Sequence, residues 1–553
     1  MHAKGKLSCL VVGAAVFLAA CTSNNAPSTP SGVASGAAGQ PQTGGTLHLA
    51  ASNDLVTLDN TQAVSTIDYS MTAGALYEGL YHVDSQGNIV AALADSLPNI
   101  SPDQLTYTIQ IRPDAMFAGP SFTPRAVTAD DVAYGMLRAM NPKTKPAPSW
   151  GGGYLYPIQG APDFLAGKSN TVPGIVVKDP STLQVTLSAP TSTFIYDLTI
   201  ATSWPVPKEA VEKDPEHFGD NPVGAGPFFV SSWQKGQSIT LARNPGYVDT
   251  SLPYLDQMEI DLGIDENTLV LRMQNGDIDG IVEPYFLSQA AVAQLGQSKN
   301  VTLTPSTGPT IYYLALNASG ILKDERLRQA IAMAINRDFV KQFGSEVEPT
   351  SNIFATVTHQ YDPSLETLPY DPSQAKQLLA DAGYSGQRLT MIYDATDPFA
   401  AAMSTAAQQD LKAIGVPLDI KGLQQAAYFG NAGYNDPKNY DLLPTYWRQD
   451  YPDGQDYIST NFVCAQVPPP GLNVARWCNK QVDSLLAKSD TLQFGTARDQ
   501  LIQKMQKIIV QQAAGVPTFQ VNFPIVYSDT VGAMPSLPTY APIDWKLAWV
   551  KGS

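Results

Sequence analysis

Charged residues are scarce: Asp, Glu, Lys and Arg make up 15% of the 553 residues, and basic side chains are outnumbered 34 to 50. The net charge of −16 repels phosphate backbones, so nucleic acid is not an expected partner. Histidine is scarcer still, with 5 in the chain. After His2, the set His48, His82, His217 and His359 has no spacing suited to joint metal ligation. No His-Glu-x-x-His, Gly-x-Ser-x-Gly or Walker pattern occurs, so neither enzymatic activity nor a metal or cofactor is expected. The run Gly224-Ala225-Gly226-Pro227 lacks a following Lys-Ser or Lys-Thr and reads as a tight turn of close-packed backbone. Long apolar stretches are also missing beyond residue 20. What is present is 44% hydrophobic residues in a chain too long for one core, which points to two or three packed globular units.

The four cysteines divide by position. Lys4 and Lys6 precede an apolar run at 7–20, shorter than the roughly 20 residues a membrane span needs, so residues 1–20 read as a secretory signal peptide. The run ends Leu18-Ala19-Ala20-Cys21, a bacterial lipobox at all four positions, with the Cys21 thiol as the lipid acceptor. The expected location is extracytoplasmic, anchored to the cell membrane as a lipoprotein. Residues 21–45 hold mostly Thr, Ser, Asn, Ala, Pro, Gly and Gln and read as a flexible tether. Cys9 belongs to the leader. In the body only Cys464 and Cys478 remain, flanking Pro468-Pro469-Pro470-Gly471; they form either a disulfide or two free thiols.

Alternation and turn residues predict strands at 45–50, 105–111, 175–177 and 183–187. Thr128-Ala129-Asp130-Asp131 opens a helix as a capping-box variant. Asp371-Pro372 opens another, closed by Gly383. A strand at 389–393, a helix at 400–414 and a strand at 416–420 form an α/β unit with parallel strands, and a further strand follows at 440–447. The terminal stretch 513–550 begins in strand-like fashion and is expected to return to the first lobe.

Several stretches resemble, in order, the bacterial extracellular solute-binding proteins of family 5, the peptide- and nickel-binding group of ABC importers. They include Ala75-Leu76-Tyr77-Glu78-Gly79-Leu80, Ala91-Ala92-Leu93-Ala94-Asp95-Ser96, Leu105-Thr106-Tyr107-Thr108-Ile109-Gln110-Ile111-Arg112 and Val223-Gly224-Ala225-Gly226-Pro227-Phe228. Leu241-Ala242-Arg243-Asn244-Pro245-Gly246-Tyr247, Arg326-Leu327-Arg328-Gln329-Ala330-Ile331 and Tyr370-Asp371-Pro372 continue the series. The stretch at Met116-Phe117 departs from the family by lacking a basic-aromatic-His run. The resemblance implies a mixed α/β, two-lobe periplasmic-binding-protein fold of type II. Lobe I would be 46–305 plus 513–553, with a subdomain inserted at roughly 82–200, and lobe II would be 306–512. Crossovers near 302–309 and 513–517 would form the hinge. The implied role is a monomeric substrate-binding subunit that captures a small peptide and delivers it to the ABC permease.

In peptide-binding members, a Trp-x-x-Asp-Tyr stretch offers its aspartate to the ligand's α-ammonium. By position that aspartate is Asp450, in Tyr446-Trp447-Arg448-Gln449-Asp450-Tyr451. An uncompensated ammonium in a closed cleft would be costly. Asp450 before Tyr-Pro-Asp-Gly is equally turn chemistry, and Asp453 reads as a turn former. Trp447, Tyr446, Tyr451, Trp204 and Tyr77 are candidate cleft aromatics or core residues, and Glu78 either compensates charge or holds a structural hydrogen bond. Arg448 and Arg476 are candidates for a ligand carboxylate. Nickel chelates, haem, siderophores and oligosaccharides remain as alternative ligands, and a secreted hydrolase is the distant rival.

Overall fold

The first strand, Thr46–Ala50, alternates: Leu47 and Leu49 are buried while His48 is exposed. The computed structural model describes residues 40–552 apart from positions 64, 285–286, 307–309, 345, 431–432, 470 and 541–542. The signal peptide, Cys21 and the tether up to residue 39 therefore lie outside the described residues. Thr46–Ala50 is central to a seven-stranded sheet, pairing in parallel with Gln257–Asp261 on one side and Gly280–Ile281 on the other. The hairpin Phe228–Gln234 and Ser238–Arg243 extends one side of this sheet, and Pro524–Ser528 with Val301–Pro305 extends the other.

A six-stranded sheet is built around Thr310–Leu316, whose seven residues are all buried. The strand has neighbours on both edges, Leu442–Arg448 and Gly515–Val521. Its period of two divides it between two cores. Tyr312, Leu314 and Leu316 enter one cluster, while Ile311, Tyr313 and Ala315 enter the other. Pro517 sits where the register against Thr310–Leu316 shifts between Tyr312 and Tyr313, a place in a sheet where a missing N–H is tolerated. The α/β unit has the expected form: Leu389–Asp394 and Leu418–Leu423 pair in parallel, joined by the helix Pro398–Ala413, with Gly415 at φ 89° after it.

Helix starts follow their local signals. Asp371 accepts from the N–H groups of Ser373 and Gln374, and the Thr128 N–H donates to Asp131 at 2.9 Å. The helix Ala129–Met140 packs with a four-stranded sheet, Asn99–Ile100, Thr106–Gln110, Thr182–Thr186 and Ile175–Asp179. This sheet lies within the stretch expected as an inserted subdomain, but it has no separate core. Tyr107, Ile109, Leu183 and Val185 belong to the same buried cluster as Leu47 and Leu49.

One boundary needs correction. The return from second to first lobe was expected at 513–517, but Gly515–Val521 is a full member of the six-stranded sheet. The chain crosses at Asn522 and Phe523, and Pro524–Ser528 then joins the seven-stranded sheet. The Gly-Val-Pro start resembled a linker, yet all seven residues of this strand are buried between neighbours. Cys464 and Cys478 form a disulfide across a sequence separation of 14. No helix among the described residues is long and apolar enough to cross a membrane.

Candidate functional site

The segment Thr72–Leu76 is wound as a π-helix and delivers Tyr77 and Glu78 into the interior, a local irregularity common at functional positions. Gly224 and Gly226 press against this turn: a Cβ on Gly224 would lie 2.1 Å from the Leu76 carbonyl oxygen, and one on Gly226 2.5 Å from that of Ala75. The turn of close-packed backbone thus anchors the Tyr77-Glu78 corner. Trp204 lies across Gly79, where a Cβ would come within 2.3 Å of its Nε1.

Tyr77, Glu78 and Trp204 line one cavity together with Asp450, which arrives from the end of Leu442–Arg448 in the other sheet. The Asp450 side chain is enclosed by protein and keeps some accessible surface. The Tyr154 hydroxyl, from the first half of the chain, donates to its Oδ2 at 2.5 Å. Burial raises its carboxyl to about 6, with the Tyr154 bond pulling the other way. Asp456 accepts the Asp450 N–H at 3.2 Å and the Trp447 Nε1–H at 2.6 Å on the same oxygen. Burial, then the nearby Asp450, pushes Asp456 well above the carboxylate range. Asp197 is raised well above it too, by burial and then by Asp490 and Asp450.

The far wall carries a second polar group. Glu78 accepts from the Tyr247 hydroxyl at 2.7 Å, and its Oε1 lies 3.7 Å from His82 Nδ1. His82 Nε2 is 3.4 Å from Lys546 Nζ, which is 3.8 Å from Asp544. Burial raises the Glu78 carboxyl, but Lys546, His82 and the Tyr247 bond together outweigh it and hold it at about 2.

The other candidates fall elsewhere. Tyr77 lines the cavity but anchors its hydroxyl on the Leu58 carbonyl at 2.8 Å. Trp447 and Tyr451 are not in the cavity wall. Tyr451 stacks on Tyr196 with centroids 4.8 Å apart, in a small apolar cluster with Val83 that joins the two halves. Tyr446 is 45% exposed and packs on Tyr312. The Arg448 guanidinium lies over the rings of Phe523 and Tyr540, and Arg476 is held by the carbonyls of Pro468, Tyr434 and Asn435. Asp453 is more than a turn former: it caps the helix Gly454–Asn461 and forms a fully buried ion pair with Arg498.

Sequence reasoning missed Tyr154, His82, Asp544 and Lys546. Tyr154, Asp544 and Lys546 carry no local signal because only the fold brings them to the cavity, whereas His82 stands four residues from Glu78 and was passed over because a lone histidine names no role. Tyr154 is 296 positions from Asp450, and Lys546 is 464 from His82.

Residues 88–468 match the family described as bacterial extracellular solute-binding proteins, family 5 Middle. The glutathione-binding protein GsiB of Salmonella typhimurium is 28% identical over 480 residues, 85% of this chain and 88% of its own. HbpA2 of Haemophilus parasuis superposes with a TM-score of 0.80 at 20% identity, over 92% of this chain and 100% of that one. The periplasmic binding protein DppA of Helicobacter pylori, in complex with the peptide STSA, gives 0.75 at 23% identity, over 92% and 99%.

Proposed function

The chain belongs to the bacterial extracellular solute-binding proteins of family 5, and from that premise we propose that it captures a peptide between two lobes and delivers it to the membrane permease of an ABC importer. The observation that carries the peptide reading is Asp450, a carboxyl just past the strand Leu442–Arg448 that lines a cavity with residues drawn from 69–227 and 537–546. Ionising it in that setting is unfavourable until a cation arrives, and the ammonium of a peptide N-terminus is such a cation. A relative named for glutathione and a similar fold holding the peptide STSA support the choice of ligand class.

Closure brings the acid from one lobe against groups from the other, so a ligand touching both favours the shut form. Leu18-Ala19-Ala20-Cys21 supports a lipid anchor on Cys21, which would hold the binding protein at the outer face of the membrane beside its permease. Replacing Asp450 with Asn keeps the shape of the side chain and removes its charge. The expected loss of peptide affinity is about 2–5 kcal/mol by titration calorimetry. Unchanged affinity in Asp450→Asn would reject the anchoring role.

A further inference from the structure

Away from the cavity, a second set of contacts forms a seam between the first and second halves of the chain. Arg498 Nε donates to Ser192 Oγ at 2.8 Å, and the Gln455 amide donates to Thr193 Oγ1 at 3.3 Å. Tyr196 stacks on Tyr451 and meets the ring of Phe494 edge-on at 5.6 Å. The Gln104 amide adds a bond to the Thr491 carbonyl at 2.9 Å.

This seam encloses two carboxyls, one from each side. Asp197 ends the short helix Phe194–Asp197 and is 7% exposed, and no donor among the described residues bonds its side chain. Asp490 ends the helix Lys480–Asp490, and its carboxyl accepts from Gln455 at 2.7 Å and from the Ser192 N–H across the seam. Burial, then Asp490 and Asp450, holds Asp197 well above the carboxylate range. Burial raises Asp490 to about 6, with the Gln455 bond and Arg498 pulling the other way. The surrounding groups do not neutralise this pair of acids. Asp197 faces Asp490, Asp450 and the hydroxyls of Tyr107 and Tyr451. Asp490 faces Asp453 and Arg498, which are paired with each other. Lys480 and Asp483 share the groove beside Asp490 and are likewise paired, at 3.1 Å.

Parting the seam would return both carboxyls to water and to ordinary acidity, so the shut form holds protons that the open form releases. We infer that the seam enclosing Asp197 and Asp490 is a proton-sensitive latch, gripping the two halves together in acid and loosening as the carboxylates form. The inference rests on the two-lobe reading above and holds whatever the ligand is. The contribution of Asp490 to the shut form is fully present below its ordinary 3.8 and is lost as pH rises through about 6. Going from pH 7.5 to 5, that one group favours the shut form by about tenfold.

The test is small-angle scattering of the purified protein at pH 5 and 7.5, with and without trialanine. Without peptide, the radius of gyration should be smaller at pH 5. Asp197→Asn combined with Asp490→Asn keeps both shapes, removes both charges, and should give the smaller value at either pH. A pH difference undiminished in this double variant overturns the latch, because another group, Asp450 or the His359 beside the Gly87 turn, then carries it. Equal values at the two pH values, with contraction on trialanine at pH 7.5, overturn the latch and leave the two-lobe reading standing. Contraction by neither acid nor peptide overturns both. Should the double variant fail to fold, Asp490→Asn alone is read by the same criterion.

Discussion

Asp450 and Glu78 sit in one cavity wall system and titrate in opposite directions. Burial lifts Asp450 to about 6 from an ordinary 3.8. The stability contributed by its protonated form is therefore fully present below 3.8 and lost as pH rises through about 6. Glu78 is held at about 2 against an ordinary 4.5, where burial is outweighed by Lys546 and His82. Its contribution is present above 4.5 and lost as pH falls towards 2. Binding inherits the Asp450 sign. A ligand ammonium favours the ionised carboxylate, so peptide affinity should be flat above pH 6 and fall by up to about tenfold per unit below it. Calorimetry at pH 7.5 and 5 measures this, and equal affinities at the two values would separate Asp450 from the ammonium. The resemblance to peptide-binding members, through Trp-x-x-Asp-Tyr, pointed to Asp450, which lines the cavity. That Trp447 donates to Asp456 and Tyr451 stacks on Tyr196 was not readable, because aromatic residues look alike in sequence whether they face a cleft or a core.

Helix ends hold the candidate site in register. Asp453 caps Gly454–Asn461, and Arg498, on the helix Thr496–Gln511, donates to it twice at 2.7 and 2.9 Å. The same guanidinium reaches Gln455 at 2.9 Å and, across to the first half, Ser192 at 2.8 Å. Four of its five N–H donors are used in this fully buried pair. Arg498→Met leaves Asp453 charged and unpaired, with an expected loss of about 3–5 kcal/mol in stability. Urea unfolding with linear extrapolation measures it, and a loss below about 1 kcal/mol would show that other groups satisfy Asp453. Elements with local punctuation were legible: Asp371 before Pro372, Gly415 after its helix, the alternation of Leu47 and Leu49. Thr310–Leu316 was not flagged, since a strand buried on both faces shows no alternation to detect.

Across the whole molecule, two sheets with separate cores are joined where Val301–Pro305 precedes Thr310–Leu316 and where Asn522 and Phe523 lead into Pro524–Ser528. Between them run the Tyr154–Asp450 and Arg498–Ser192 hydrogen bonds and the Tyr196–Tyr451 stack. If these contacts form on closure about the two crossings, saturating peptide should lower the radius of gyration in solution scattering. Tyr154→Phe, which removes one of them, should raise it in the unliganded protein. Identical scattering with and without peptide would reject the hinge. The amino-acid order by itself determined the family resemblance and the helix caps at Thr128 and Asp371, because each is written in neighbouring residues. Tertiary structure alone decided that the return crossing falls after Val521, and that His82 and Lys546 meet beside Glu78. Those pairings join positions hundreds of residues apart, and only the packed sheets bring their side chains within reach.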